Sequence, residues 1–248
     1  MSFRQQLQAI GTLVQLNGLI PIRAQPLYLL NLLASPLSFL FFIGIASGGR
    51  LLGYGVAGGM ILTMLSVGTG LQSDLTHYRH DLKFQDVIVS SPVTAPSYLI
   101  GMALSEFVYS LPGMAVFLGI WAYEGWWSWS NAVVLAGALI LVWAFASTLG
   151  FTLATYFEDV RETFMFSPLI SLGLSVLPPV YYPITSLPGW AQKVALFSPT
   201  TYAAQLVQGA SGQVAPSFTS TVIDWAVLVG FTVALLLLAT AKARWREP

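Results

Sequence analysis

An all-α integral membrane fold with six crossings is what this sequence predicts, and three observations carry the prediction. Hydrophobic residues make up 56% of the 248-residue chain and charged residues 8%, against about 25% charged in soluble domains. The mean hydropathy is +0.73, and the apolar residues gather into stretches near the ~20 residues that a helix needs to cross a bilayer. Eight of the ten Lys and Arg residues fall on one side of the six-crossing arrangement, the asymmetry that marks a cytoplasmic face.

Residues 1–25 place Phe3, Leu7, Ile10 and Val14 at helical spacing with glutamines opposite. That pattern fits an amphipathic helix lying in the membrane interface, the alternative being an irregular tail before the first crossing. Pro21 and Pro26 bracket Arg23 and are expected to turn the chain into the bilayer. The region is too polar for the apolar core of a signal peptide, so no cleaved leader is expected.

The crossings are expected at residues 27–46, 51–71, 98–122, 132–154, 164–182 and 222–241. Asn31 and Pro36 lie inside the first. The second carries Gly55 and Gly59 at the small-xxx-small spacing that lets helix backbones approach. Arg4, Arg23, Arg79, Lys83, Arg161, Lys242, Arg244 and Arg246 mark one side, Arg50 and Lys193 the other, so both termini are expected in the cytoplasm. Tyr123, Trp126, Trp127 and Trp129 cluster between the third and fourth crossings as an interfacial aromatic belt would. With no internal repeat, low-complexity tract or linker, residues 1–248 read as one membrane domain.

Between the second and third crossings, a segment at 73–91 reads as a short amphipathic helix. Leu71, Leu75, Tyr78 and Leu82 repeat at helical spacing, and His77, Arg79, His80, Asp81, Lys83 and Asp86 supply mixed charge. Such a surface suits docking with a soluble protein, because complementary charges set register; a solvated charged loop is the alternative. Thr94 and Pro96 look like the capped start of the third crossing. The two histidines, His77 and His80, make an incomplete ligand set with Asp74 and Asp81, so no metal is assigned. Glu106 is the one ionisable residue well inside a crossing; without a second ionisable partner it makes no proton relay, and a structural role is favoured over contact with substrate.

The fifth crossing is broken by Pro178-Pro179, which lipid would not tolerate because it offers no partner to freed backbone groups. An outer segment at 178–209 follows. Trp190, Val194 and Phe197 fall at the spacing of a short apolar helix face, and Ser198-Pro199 signals the start of a second short helix running through Tyr202 to a stop near Gly209. Two short helices dipping back toward the bilayer would roof the outer end of a pathway. Pro178, Pro179, Tyr181, Tyr182, Pro183, Trp190, Phe197 and Tyr202 are its candidate residues.

Several function classes drop out. The absence of cysteine removes thiol catalysis and disulfides, and ten basic against ten acidic residues give no case for nucleic acid. There is no GxxxxGK[ST] phosphate loop and no HExxH, so the chain is not expected to be an enzyme in its own right.

The order of an interfacial N-terminal helix, SSPVTAPSYLIG at 90–101, a charged EDVRET turn at 158–163 and PPVYYPITSLPGWAQKVALFSPTTYAAQLVQG at 178–209 resembles the permease subunits of type-2 ATP-binding-cassette exporters. The resemblance covers nearly the whole chain, and its most specific part is the YYP…LPGW…SPTTYA run. It implies a permease dimer, homo- or heteromeric, in the plasma membrane, contacting lipid and binding two copies of a separate cytoplasmic ATPase that carries the ATP and magnesium. It further implies that the segment from His77 to Val89 is a coupling helix seated on the ATPase, that Glu158, Arg161 and Glu162 are a second contact, and that 178–209 gates the exit. The substrate expected is a hydrophobic or amphipathic molecule, drug-like or lipid, over a polysaccharide or peptide. An ATP-independent secondary transporter or channel and a purely structural membrane anchor are the rival classes.

Overall fold

The computed structural model describes residues 3–24, 27–83, 88, 90–157 and 159–242, and among them every regular element is helical. α1 (Phe3–Val14) passes through a π-helical turn (Gln15–Leu19) into α2 (Ile20–Ala24). Then come α3 (Leu27–Ser47), α4 (Leu52–His80), α5 (Ala95–Tyr123), α6 (Trp129–Ala154) and α7 (Val160–Val176). A 3₁₀ turn (Ile184–Ser186), α8 (Gly189–Ala195) and α9 (Pro199–Ala210) separate α7 from α10 (Phe218–Lys242). Four of these, α4, α5, α6 and α10, are long and apolar enough to cross a membrane. α3 has 21 residues with Pro36 inside it. α7 has 17, about 25 Å of helix at 1.5 Å per residue.

α4 is the axis of the bundle. It packs against α3, α5, α6, α7 and α9, and 21 of its 29 residues are buried, so it has no continuous face left for lipid. Enclosure on that scale needs small residues where neighbours close in. A Cβ on Gly59 would run into the Phe117 ring of α5, and one on Gly58 into the Tyr181 ring. Gly55 faces Leu40 of α3. The pair Gly55 and Gly59 therefore receives side chains from two different helices. Backbone meets backbone further along, where a Cβ on Gly150 of α6 would stand 2.6 Å from the Gly68 carbonyl oxygen and one on Gly68 would stand 2.8 Å from the Ser147 nitrogen.

α7 joins α4 through a polar stripe. Thr163, Ser167, Ser171 and Ser175 are its buried residues and recur every four positions. Ser167 Oγ donates to the Thr69 carbonyl at 3.0 Å, and the Ser171 and Ser66 hydroxyls lie 3.2 Å apart. Small hydroxyl side chains bring helices close and add interhelical hydrogen bonds where apolar driving force is weak. Phe164, Met165, Leu169 and Leu177 are left exposed.

Three boundaries differ from the sequence expectation. The second crossing and the segment after it form one continuous helix to His80: residues 71–80 contain no glycine or proline, and Leu71, Gln72, Ser73, Leu75 and Thr76 are all buried. Basic residues in its last turn suit the negative end of the helix dipole, and Lys83 at φ 50 turns the chain away. Leu82, expected to continue the helical stripe, lies beyond the helix end and is exposed. The fifth helix starts at Val160, inside the EDVRET turn, because Asp159 caps it by accepting from the Arg161 amide at 2.8 Å. It ends at Val176, before Pro178, and so leaves Tyr181 and Tyr182 outside it.

At the N-terminus, Pro21 sits inside α2 and the π turn precedes it, so the chain stays helical where a bend was expected. The buried residue of α1 is Leu13, seated where Gly101 of α5 lacks a Cβ, while Phe3 and Leu7 face outward. Pro26, Asp86, Glu158, Arg244 and Arg246 lie outside the described residues. In the aromatic cluster, Tyr123, Trp127 and Trp129 are exposed, whereas Trp126 stacks edge-on against buried Trp121 with ring centroids 5.4 Å apart.

The Gly68–Gly150 contact gives a direct test. Gly150→Ala is expected to lower the melting temperature of the purified protein, at a cost of ~1–3 kcal/mol for overpacking. Gly70→Ala, with nothing within 4 Å of the added carbon, is expected to leave it unchanged or raise it. Thermal unfolding of the two variants in one detergent checks the contrast.

Candidate functional site

The two ends of α4 are built differently, and together they form the candidate site. At the His80 end, side chains tie α4 to every segment around it. Arg79 Nη1 donates to the Thr155 carbonyl at 3.2 Å, and His80 Nε2 lies 3.3 Å from the Phe157 carbonyl oxygen. These bonds fasten the end of α4 to the turn between α6 and α7. His77 Nδ1 stands 2.7 Å from Asp81 Oδ2 across one helical turn.

The N-terminal helix is fastened to the same place. Pro21 has no N–H to give the Asn17 carbonyl four residues before it, and side chains of α5 approach the chain here. Ser105 Oγ lies 3.2 Å from the Leu13 carbonyl while also reaching the Gly101 carbonyl of its own helix at 2.8 Å, and the Tyr109 phenol donates to the Asn17 carbonyl at 3.0 Å. Tyr78 of α4 donates to Asn17 Oδ1 at 3.0 Å, and Asn17 Nδ2 reaches Met102 Sδ at 3.4 Å. Gln6 of α1 accepts from the Thr94 amide at 3.3 Å and donates to the Pro92 carbonyl at 3.1 Å. Thr94 does occupy the position before α5, but it makes no side-chain cap of its own.

Glu106 lies beside this node, 8% exposed. The expectation that it has no ionisable partner is overturned: the Asp74 side chain faces it within hydrogen-bonding reach. Asp74 falls in the segment expected to follow the second crossing, and the continuation of α4 to His80 carries it toward the bundle. The pair thus sets an acidic side chain of α4 next to one of α5. Asp224 of α10 is a further buried acid within a crossing.

At the opposite end, the segment after α7 closes over α4. Proline has no N–H to donate, so Pro178 leaves the Leu174 carbonyl without its helical partner. Thr200 Oγ1 of α9 donates to that carbonyl at 2.6 Å. The Tyr182 phenol lies within donating distance of the Val176 and Leu177 carbonyls, at 3.3 and 3.1 Å. Buried Gln208, also on α9, donates through Nε2 to the Pro179 and Val180 carbonyls at 3.0 and 3.1 Å. Each backbone group named here is met from within the protein, as a break at membrane depth demands.

The same segment grips α4 through aromatic packing. Tyr181 lies over Gly58 and stacks on Phe39 of α3 with centroids 5.1 Å apart, and Tyr54 donates to the Gln213 carbonyl at 3.1 Å. Ser198 and Pro199 stand at the start of α9, but the Ser198 hydroxyl pairs with Thr200 Oγ1 at 2.7 Å and not with a helix amide. Tyr202 donates to the Leu196 carbonyl at 2.8 Å. Burial, and then the charge of Asp224, hold its phenol above the ordinary tyrosine range, so it stays a donor.

The structure thus gathers the sequence candidates into two groups. Exposed Asp81, Lys83, Arg161 and Glu162 sit at the His80 end around His77, Arg79 and His80. Tyr181 packs over Gly58 near the other end of α4, with Pro178 and Pro179 buried and Tyr182 and Pro183 half-buried beside it, while Trp190 and Phe197 are exposed on or beside α8. Asn31 belongs to α3, and its side chain lies outside the described residues, as do Asp86 and Glu158. Sequence reading missed Asn17, Tyr78, Thr200 and Gln208, whose partners are distant in the chain, and missed the Ser/Thr repeat of α7, which the four-residue spacing could have revealed.

Comparison with curated proteins gives no match. The family model for the ABC-2 type transporter matches residues 9–210, which take in the π turn, both ends of α4 and the lid through α9. On that match, and with four helices able to cross a membrane, the chain belongs to the ABC-2 type transporter family and is a permease component of such a transporter.

Proposed function

We propose that this chain is the transmembrane subunit of an ATP-driven exporter, moving a hydrophobic or amphipathic substrate, drug-like or lipid, out of the cytoplasm. The family implies association with an ABC ATPase subunit. In this reading residues 1–248 form one membrane domain, two copies of the ATPase bind a dimer of permeases, and ATP and magnesium are held by the ATPase. The charge asymmetry supports six crossings with both termini in the cytoplasm of a cell whose plasma membrane holds the complex. α8 and α9 then form the outer gate.

The observation that carries the proposal is the attachment of both ends of α4. At one end Arg79 and His80 bind it to the turn between α6 and α7, and Tyr78 binds it to the N-terminal helix. At the other, Gly58 and Tyr54 hold the lid. A 29-residue helix, enclosed along its length, transmits a displacement as a rigid rod. ATPase closure pushing on the exposed charges around Asp81 and Lys83 would tilt α4 and loosen its contacts with Tyr181 and Gln213. A secondary transporter lacks support from any internal repeat.

An apolar groove supports the substrate class. It is lined by Phe39, Phe42, Ile43, Val176, Tyr181 and Tyr182 and has a volume of about 340 Å³. It runs between α3 and the lid and contains no charged residue.

Three outcomes are expected. Reconstituted with its ATPase, the permease raises ATP hydrolysis in the presence of amphipathic compounds and not of soluble glycans or peptides; ion-driven flux by the permease alone would instead favour a secondary transporter. Arg79→Gln removes a charge-assisted bond, ~1.5–3 kcal/mol, and uncouples hydrolysis from transport, which paired ATPase and efflux assays would show. Gln208→Leu leaves two buried carbonyls unpaired, ~1–3 kcal/mol each; a lower melting temperature together with substrate leak in sealed vesicles is the expected signature.

A further inference from the structure

A cavity of about 140 Å³ opens between the start of α6, α9 and the first turns of α10, and its lining includes Ser130, Asn131, Gln205, Thr221 and Asp224. Asp224 is 5% exposed and lies about 9 Å into α10 from Phe218 at 1.5 Å per residue. Among the described residues no hydrogen bond or ion pair meets its carboxylate, and no Lys or Arg lines the cavity.

Several of the neighbouring donors are already engaged. Asn131 Nδ2 donates to the Trp126 carbonyl at 3.1 Å, Thr221 Oγ1 to the Ser217 carbonyl at 3.1 Å, and the nearby Tyr202 phenol to the Leu196 carbonyl at 2.8 Å. These groups offer the cavity Asn131 Oδ1, the lone pairs of Thr221 and Ser130 Oγ, which is shared with Ser128 at 3.1 Å, together with one remaining N–H of Asn131. Gln205 adds a mixed amide.

A buried carboxyl group without a protein partner, beside side-chain oxygens, selects the ligand. An anion would be repelled, and an apolar molecule would leave the carboxylate buried without a partner, which is costly. Hard divalent ions are held by several oxygens with more than one charge among them, and one carboxylate lines this site. The volume is well above the ~10–15 Å³ that one water requires.

We propose that this cavity binds a compact monovalent cation, an alkali ion or a small primary ammonium, on the Asp224 carboxylate. The bound cation would pin α9 to α6 and α10. Because α9 also carries Thr200 and Gln208, which hold the broken end of α7, occupancy steadies the lid in the arrangement seen here. The proposal does not depend on the transported substrate or on the ATPase.

The test is thermal unfolding of the full chain in nanodiscs, followed by tryptophan fluorescence. Sodium, potassium or methylammonium chloride is titrated at constant ionic strength against N-methylglucamine chloride, whose cation is too bulky for the site. The expected result is a saturable rise in melting temperature with at least one compact cation, absent in Asp224→Asn and displaced several-fold to higher concentration in Thr221→Val. A response to sodium or potassium identifies an alkali ion, and a response to methylammonium alone an ammonium group. Equal melting temperatures in all four salts, or an unchanged response in Asp224→Asn, would overturn the proposal. Should that variant fail to fold, Thr221→Val decides, because an unshifted response there is equally fatal.

Discussion

α4 is enclosed on all sides, and the rest of the bundle is arranged to allow that. Lipid is as apolar as a protein core, so no hydrophobic gain drives one membrane helix against another. Close contact has to come from shape and from polar bonds. Gly68 and Gly150 let two backbones touch, Gly58 and Gly59 admit aromatic rings, and the Ser167 and Ser171 hydroxyls bind α7 to α4. Each device removes side-chain bulk or adds a hydrogen bond at the contact, and five neighbouring helices can therefore share one axis.

Helical regularity fails near both ends of that axis. The π turn near Asn17, with Pro21 after it, and the proline break at Pro178 each leave backbone carbonyls without a helical donor. In both places side chains from another helix meet the freed carbonyls: Tyr109 at the first, Thr200 and Gln208 at the second. Those bonds double as attachments between segments, so the interruptions are also the joints. In a permease that must change shape, joints made of a few hydrogen bonds at either end of a rigid rod are where movement costs least.

Buried acids follow a related logic. Asp74 and Glu106 stand near each other across α4 and α5. Asp224 has no such neighbour and looks into a cavity instead. Asp74 and Asp224 lie toward the ends of their helices, where an ionisable group is less costly than at mid-membrane, whereas Glu106 lies deeper.

Much of the chain's architecture was legible in the sequence because length and hydropathy are local properties. The four helices long and apolar enough to cross, the aromatic turn around Trp126 and the Pro178 break could be read residue by residue, and the family could be recognised from the segments around the break. What the sequence did not reveal was facing. A helix that is apolar all round carries no signal that distinguishes lipid from a neighbour, so nothing local marked α4 as the centre or Leu13 as the buried residue of α1. Nor could it show that the Leu174 carbonyl is met by Thr200, that Asp74 turns toward Glu106, or that Asn17 joins three helices. Those pairings bring together residues far apart in the chain, and only the packed bundle decided them, because an unpaired polar group in a low-dielectric interior takes whichever partner the fold places beside it.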